Sequence, residues 1–242
     1  MNNANRIVPN SLTSLNLLLG FIAIVVAFGD QPVNAGYFII AATIPDFLDG
    51  FFARLLKAQS EFGKQLDSLA DLVSFGIAPS VILYRLMAIS LTYHTEISEV
   101  FTSILLFSSS LIALFSALRL ARFNITATSD TFHGLPTPAC ALLIASLGLF
   151  IRTARYEVLQ NFLLHPLTIF LLIIILSFLL ISNIPMFSLK FKNFGIKDNL
   201  LRYSFLLISF VIILIAGFPG IAFCIILYVI ISLVSNFLPS GK

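Results

Sequence analysis

The chain has 242 residues, of which 59% are hydrophobic and 10% charged, with a formal net charge of +3 and a mean hydropathy of +1.03. Such an apolar excess excludes an ordinary water-soluble domain and a disordered one, and makes the bilayer the solvent against which the chain must be read. Two cysteines, Cys140 and Cys224, each inside an apolar run, exclude a disulfide framework and a thiolate metal site and read as packing residues; no nucleic-acid partner is expected.

In chain order, Met1 to Pro9 is short and polar, with Arg6 as its one basic residue. The apolar run that follows lacks a small-residue cleavage site, so it reads as a retained helix rather than a signal peptide. Asn10 or Ser11 is placed to cap a first helix over 12–29, closed by Gly29 and Asp30. Asn10, Thr13, Asn16 and Gly20 recur at three- and four-residue spacing along one face. They form either a cap plus a small-residue packing seam or, for Asn10 and Thr13, part of a ligand pocket.

Further spans are expected over 34–56, 65–91, 99–122, 135–152, 161–182, 201–217 and 219–238, each near the length a bilayer requires. The chain is therefore expected to be a single all-α membrane domain over 1–242, a polytopic bundle of about eight transmembrane helices. Its catalytic core falls over about 10–182, and its additional C-terminal helices over about 183–242. The break at Gly217, Pro219 and Gly220 is the weakest boundary, since a kinked longer segment would read similarly. With both termini on the cytoplasmic side, Arg6, Arg54, Lys57, Lys64, Arg119, Arg122, Lys190, Lys192, Lys197, Arg202 and Lys242 all fall inside, eleven of the fourteen basic residues. Arg85, Arg152 and Arg155 are the exceptions.

The second and third spans carry the charge that needs explaining. From Asp46 to Asp71 the chain holds Asp46, Asp49, Gly50, Ala53, Arg54, Gly63, Asp67 and Asp71. On helices the two members of each aspartate pair share a face, roughly 60° apart for Asp46 and Asp49 and roughly 40° apart for Asp67 and Asp71. Four unpaired aspartates near the membrane interior would cost on the order of 10 kcal/mol, so they need partners. One arginine cannot balance them, and hard divalent cations such as Mg²⁺ or Mn²⁺ are the natural partners of clustered oxygen ligands. Gly50, Ala53 and Gly63 remove side chain from the carboxylate face, which lets a bulky ligand lie against the backbone. A cation with open coordination positions on such ligands usually binds substrate phosphate, and Arg54 adds a fixed positive charge for the same purpose.

The spacing D-x2-D-G-x2-A-R-x8-G-x3-D-x3-D resembles the full signature of the CDP-alcohol phosphotransferase family, with all eight positions present. The resemblance implies a membrane-embedded enzyme that moves a phosphatidyl group from CDP-diacylglycerol to an alcohol and releases CMP. It further implies two divalent cations on Asp46, Asp49, Asp67 and Asp71, with Asp71 as general base. CDP-diacylglycerol is then expected to lie against Asn10, Thr13, Asp49, Gly50, Ala53, Arg54, Gly63 and Asp67, in a homodimer of the cell (inner) membrane whose active site faces the cytoplasm. The Pro-Asn-x-x-Thr run from Pro9 to Thr13 is similar to the start of many members.

Two later segments resemble the phosphatidylserine synthase branch of that family: Arg119-Leu-Ala-Arg122-Phe-Asn124 followed by Gly134-Leu-Pro-Thr-Pro-Ala139, and Ser182-Asn-Ile-Pro185-Met-Phe-Ser188-Leu-Lys190. They imply L-serine as the alcohol, with Arg119, Arg122, Asn124 and Lys190 as its pocket, although arginines and lysines at helix ends also serve simply as topology anchors. His133 abuts the glycine-proline loop as a further candidate, while His94 and His165 have no metal-type neighbours in sequence and no expected role. Glycerol 3-phosphate, inositol phosphate or choline would use the same chemistry. A cation-coupled transporter is the reading from another class, but it needs neither the small-residue clearance nor Arg54.

Overall fold

In the computed structural model, residues 4–29, 31–94, 96–126, 133–153, 157–186, 195 and 199–237 are described. Among them there is no β-strand; one isolated bridge joins His133 and Pro185. Helices dominate because hydrocarbon offers no partner for backbone N–H and C=O groups, and a helix satisfies them within itself.

α1 (Ala4–Ala27) starts earlier than expected. The cap at Asn10 or Ser11 is overturned, since both lie inside the helix. Proline's fixed φ suits a helix, so Pro9 forgoes only the bond its missing N–H would have made. A short 3₁₀ turn, Pro32–Asn34, leads into α2 (Ala35–Leu55). The third apolar stretch is α3 (Glu61–Asp71), a π-helical turn (Leu72–Ile77) and α4 (Ala78–Thr92), together one 32-residue helix from Glu61 to Thr92. α5 (Glu99–Ser108) and α6 (Ser110–Thr126) continue one another, and α7 spans Thr137–Thr153.

The sixth expected span is not one straight helix. α8 (Glu157–Leu163) and α9 (Pro166–Ile181) meet at 56°; Pro166 opens α9, and His165 before it is extended, as residues preceding proline favour, and caps α9 through Nδ1. α10 (Leu200–Ala216) and α11 (Gly220–Phe237) are two separate helices, divided at Gly217, whose φ is +63°.

Each expected span overlaps a described helical stretch. Among the described residues three helices, Asn5–Ala27, Glu61–Thr92 and Glu99–Ile125, are long and apolar enough to cross a membrane, and the bent α8–α9 pair would make a fourth. Residues 137–151 of α7, α10 and residues 220–234 of α11 are apolar but shorter. Large apolar side chains face outward along the bundle, among them Phe21, Phe47, Phe107, Phe178 and Leu214, an arrangement that suits lipid contact and would promote aggregation in water.

The most extensive helix pairing is α1 with α2; α3, the π turn and α4 also pack on α1. α7 crosses α2, α4 and the π turn, α6 lies against the π turn and α9, and the α10–α11 pair is joined to the rest through α11 on α7. Alanines make these approaches close: Ala23, Ala27, Ala35, Ala42, Ala70 and Ala78 are fully buried. Gly20 meets Ser74 of the π turn so closely that a Cβ there would lie 2.7 Å from the Ser74 Cα. Arg85, one of the three basic residues outside the expected positive-inside pattern, has a local partner: its Nε donates to Ala27 O (3.2 Å), closing the C-terminal end of α1.

The loop before α7 docks onto the end of α9, where the Gly134 N–H donates to Ile184 O and the Leu135 N–H to Leu179 O, both at 2.9 Å. Gly134 has φ +72°, and a Cβ on it would stand 2.9 Å from the carbonyl oxygens of both Leu180 and Ser182. Replacing Gly134 with alanine should therefore cost about 1–3 kcal/mol, as strain in a rarely adopted conformation does. The check is the thermal unfolding midpoint of the purified variant, which should fall clearly below that of the parent protein.

Candidate active site

The carboxylates converge at one end of the bundle, where α2 and α3 both pack on α1. α2 ends in a Schellman turn: the Lys57 N–H donates to Arg54 O (3.2 Å) and the Ala58 N–H to Ala53 O (2.9 Å), with Lys57 at φ 49° and Ala58 buried. Ser60 then caps α3, accepting from the Gly63 N–H at 3.0 Å, with Glu61 in the favourable first turn. This tight reversal turns the chain back from α2 into α3 on the same side of α1, so that the aspartates of the two helices approach one another.

Ligand oxygens of Asp46, Asp49 and Asp67 all lie within 4.8 Å of one another. Asp71 joins through Asp46, the two carboxyl groups standing in hydrogen-bonding contact. Two anionic carboxylates do not hold such a contact without a proton or a cation between them. The donor set fits a divalent ion: hard oxygen ligands, brought together from two helices, with no cysteine or histidine in the group.

α1 supports both pairs from the side. Thr13, buried, donates from Oγ1 to Asp49 Oδ2 at 2.6 Å, and Asn16, one turn along, donates from Nδ2 to Asp71 Oδ1 at 3.2 Å. The π turn after Asp71 completes the link, its Ser74 hydroxyl donating to the Asn16 carbonyl at 2.8 Å. Interrupted helices of this kind often occur at functional sites, and here the turn brings Ser74 against α1.

Beside the carboxylates opens a cavity of about 400 Å³ whose lining includes Pro9, Asn10, Thr13, Asp49, Gly50, Ala53, Gly63 and Asp67. Seven expected binding residues are thus brought to one space. A Cβ on Gly50 would meet nothing nearer than the Arg54 guanidinium at 3.9 Å, so Gly50 leaves room over the site with Arg54 at its edge. Gly63 has a different reason: a Cβ there would crowd Ser60 Oγ at 3.1 Å and Asn10 Oδ1 at 3.2 Å, so its smallness lets α1 approach the start of α3. Ala58, Gln59, Ser60, Glu61 and Lys64 complete the wall and were not foreseen. Ser60 alone carried a sequence signal, as a cap ahead of a helix.

Of the residues expected around the acceptor, Arg119 comes closest to the chemistry. Its guanidinium lies within Coulombic reach of Asp71, one terminal nitrogen donates to Thr137 Oγ1 (3.3 Å), and its buried Nε has no partner. Asn124 also joins helices: its side-chain amide donates to Ser68 Oγ (2.8 Å) and its backbone carbonyl accepts from Lys64 Nζ (3.0 Å), fastening the end of α6 to α3. Arg122 donates to Asn183 Oδ1 (2.7 Å) and His133 Nδ1 lies 3.0 Å from Asn183 O, so the two later motif segments meet each other. Lys190 and Ser188 lie outside the described residues. At the other end of the bundle His94 and His165 stack edge to face, 4.9 Å apart, beside a larger, mainly apolar cavity of about 700 Å³ that holds no carboxylate cluster. Both cysteines are free and buried.

Comparison with known proteins places these residues in a wider set. The model of the CDP-alcohol phosphatidyltransferase family matches residues 6–234. A Helicobacter pylori (strain J99) protein named CDP-diacylglycerol-serine O-phosphatidyltransferase is 37% identical over 207 residues, covering 84% of this chain and 81% of the relative. Proteins of the same name from Mycobacterium leprae and Methanocaldococcus jannaschii are 39% and 36% identical over 150 and 137 residues, covering 59% and 57% of this chain and 46% and 58% of those proteins.

Asp49→Asn keeps the side chain's shape and an acceptor for Thr13 while removing one charge from the ligand set. Mn²⁺ affinity, measured by calorimetry on the purified protein, should weaken about tenfold or more; unchanged affinity would remove Asp49 from the ligands.

Proposed function

The chain belongs to the CDP-alcohol phosphatidyltransferase family, and from that premise we propose that it transfers the phosphatidyl group of CDP-diacylglycerol to the hydroxyl of L-serine, giving phosphatidylserine and CMP. The observation that carries the reading is the convergence of the motif carboxylates beside a cavity lined by Asn10, Thr13, Gly50, Ala53 and Gly63, in a chain whose matched relatives bear the serine enzyme's name.

In the proposed reaction the serine hydroxyl oxygen forms a new bond to phosphorus as the bond to the CMP oxygen breaks, and the hydroxyl proton passes to Asp71. Asp46, Asp49, Asp67 and Asp71 are the residues that hold the metal, proposed as two ions of Mg²⁺ or Mn²⁺. When bound, such cations neutralise the pyrophosphate and stabilise charge on the departing CMP. Asn10 and Thr13 line the nucleotide's part of the cavity, and Thr13 keeps Asp49 aimed by its short hydrogen bond. Gly50 and Ala53 leave space for the nucleotide, and the forked Arg54 guanidinium beside Gly50 binds phosphate oxygens. Arg119, with an unpaired Nε–H near Asp71, is the cation for the serine carboxylate, and Arg122, Asn124 and Lys190 are proposed with it as serine-binding residues.

The protein is a membrane protein by its apolar helices and its family. Within that frame its place is the cell membrane with the active site toward the cytoplasm, because Arg54, Lys57, Lys64, Arg119 and Arg122 gather at the carboxylate end. Lipid tails then enter between helices from the bilayer while the nucleotide stays at the aqueous end. The working unit is proposed as a homodimer, as family resemblance implies.

CMP release by the purified protein, with each alcohol supplied in turn, tests the reading. Serine should give the fastest turnover, and faster release with glycerol 3-phosphate would leave the family assignment standing but not the acceptor. Arg119→Ala should raise the serine KM about tenfold or more, equivalent to about 1.4 kcal/mol, with a smaller effect on CDP-diacylglycerol. For Arg54→Lys the expected change lies on the other substrate: charge is kept but the planar fork is lost, so affinity for CDP-diacylglycerol should fall while protein yield stays the same. A change in yield alone would make Arg54 a topology anchor.

A further inference from the structure

Asn16 has a polar side chain where an apolar one would pack as well. It is fully buried on the inner face of α1, in an otherwise largely apolar interior. Its backbone carbonyl is engaged by the Ser74 hydroxyl at 2.8 Å, its Nδ2 donates to Asp71 Oδ1 at 3.2 Å, and its Oδ1 is buried with no partner. A buried carbonyl without a donor is unfavourable, so packing alone would favour leucine, which has a similar volume and no orphaned group. The amide therefore needs another reason to be there.

The local arrangement supplies one. Along one face of α1, Thr13 and Asn16 lie a turn apart and each donates to a different carboxylate helix, Thr13 to Asp49 on α2 and Asn16 to Asp71 on α3. Both donors are neutral, so they orient a carboxylate without cancelling the negative charge on which cation binding depends. The Ser74 hydroxyl, on the turn just after Asp71, donates to the Asn16 backbone carbonyl and so ties the stretch of α1 that carries the donor to the segment that carries the acceptor. On these grounds we propose that Asn16 is a positioning residue for Asp71: its amide N–H fixes one oxygen of that carboxylate, so that the other is presented to the reaction in one orientation. The unpartnered Oδ1 is then the acceptor for an N–H or O–H group that arrives when the site fills.

The inference rests on the reading of Asp46 to Asp71 as the metal and phosphoryl-transfer site. Its test uses the full-length protein in detergent, with Asn16→Leu, which keeps volume and removes both polar groups, and Asn16→Asp, which keeps shape and replaces the donor with an acceptor. Three quantities are read: kcat and KM from CMP release, and the rise in thermal unfolding midpoint caused by Mn²⁺. Positioning predicts kcat at least about tenfold lower in both variants, with the CDP-diacylglycerol KM within about threefold of the parent value, and a smaller Mn²⁺-induced rise. A folded Asn16→Leu protein with kcat within about twofold of the parent overturns the proposal, as does a change confined to KM. So does loss of folding in both variants, which would make Asn16 a packing residue. If the parent protein itself releases no CMP with any alcohol, the functional reading fails instead, and the Mn²⁺-induced rise in parent and variants still decides whether Asn16 acts on Asp71.

Discussion

Four carboxylates drawn to one end of an apolar bundle repel one another, and the surrounding helices have to hold them together. Asp46 and Asp71 touch, and oxygens of Asp46, Asp49 and Asp67 sit within 4.8 Å. The Schellman turn at Lys57, the Ser60 cap and the π turn after Asp71 all act toward that closeness, by reversing the chain sharply and by bringing α1 against the second aspartate helix. Such a cluster is stable as an apoprotein only under strain or with protons present, and a divalent cation relieves both. Metal binding and the local fold are in this sense one equilibrium.

The division of labour among the helices follows from the same constraint. α2 and α3 supply charge, and α1 supplies neutral donors to both, which orient the carboxylates without discharging them. α6 brings Arg119 to the far side of Asp71 and is fastened to α3 through Asn124, Lys64 and Ser68. The loop before α7 and the end of α9 lock together through Gly134 and Asn183, which fixes the segment carrying Arg122 and His133. Arg119 and Arg122 thus come from a separate helix, while Arg54 and Lys64 lie on the carboxylate helices themselves.

The C-terminal pair shows how a segment without motif residues still bears on the site. α11 packs on α7, and Tyr228 on α11 lies within Coulombic reach of Arg119 while its ring meets Phe205 on α10. These helices extend the wall behind Arg119. The apolar side chains of α10, such as Leu207, Phe210 and Leu214, face outward, as lipid contact would require.

What the sequence by itself determined was the chemistry of the site. Residue type and spacing are local facts: an aspartate pair three or four apart shares a helix face wherever the helix goes, and eight motif positions within twenty-six residues name the family before any contact is known. Apolar run length likewise anticipated where helices fall, each expected span overlapping a described helix. Boundaries were less legible, because Pro9 is accommodated inside α1 while Pro166 breaks the sixth span, and only the packing around each proline separates the two cases. The tertiary structure alone decided which residues meet. Asn16, read in sequence as one of a row of polar and small residues on one face, meets Asp71 through its amide; Asn124 meets Ser68 through its side-chain amide and Lys64 through its backbone carbonyl; and Gly63, in the cavity wall, also lets Asn10 approach. Contacts between residues far apart in sequence depend on how helices cross, and crossing geometry is set by the whole packed interior rather than by any one segment's pattern.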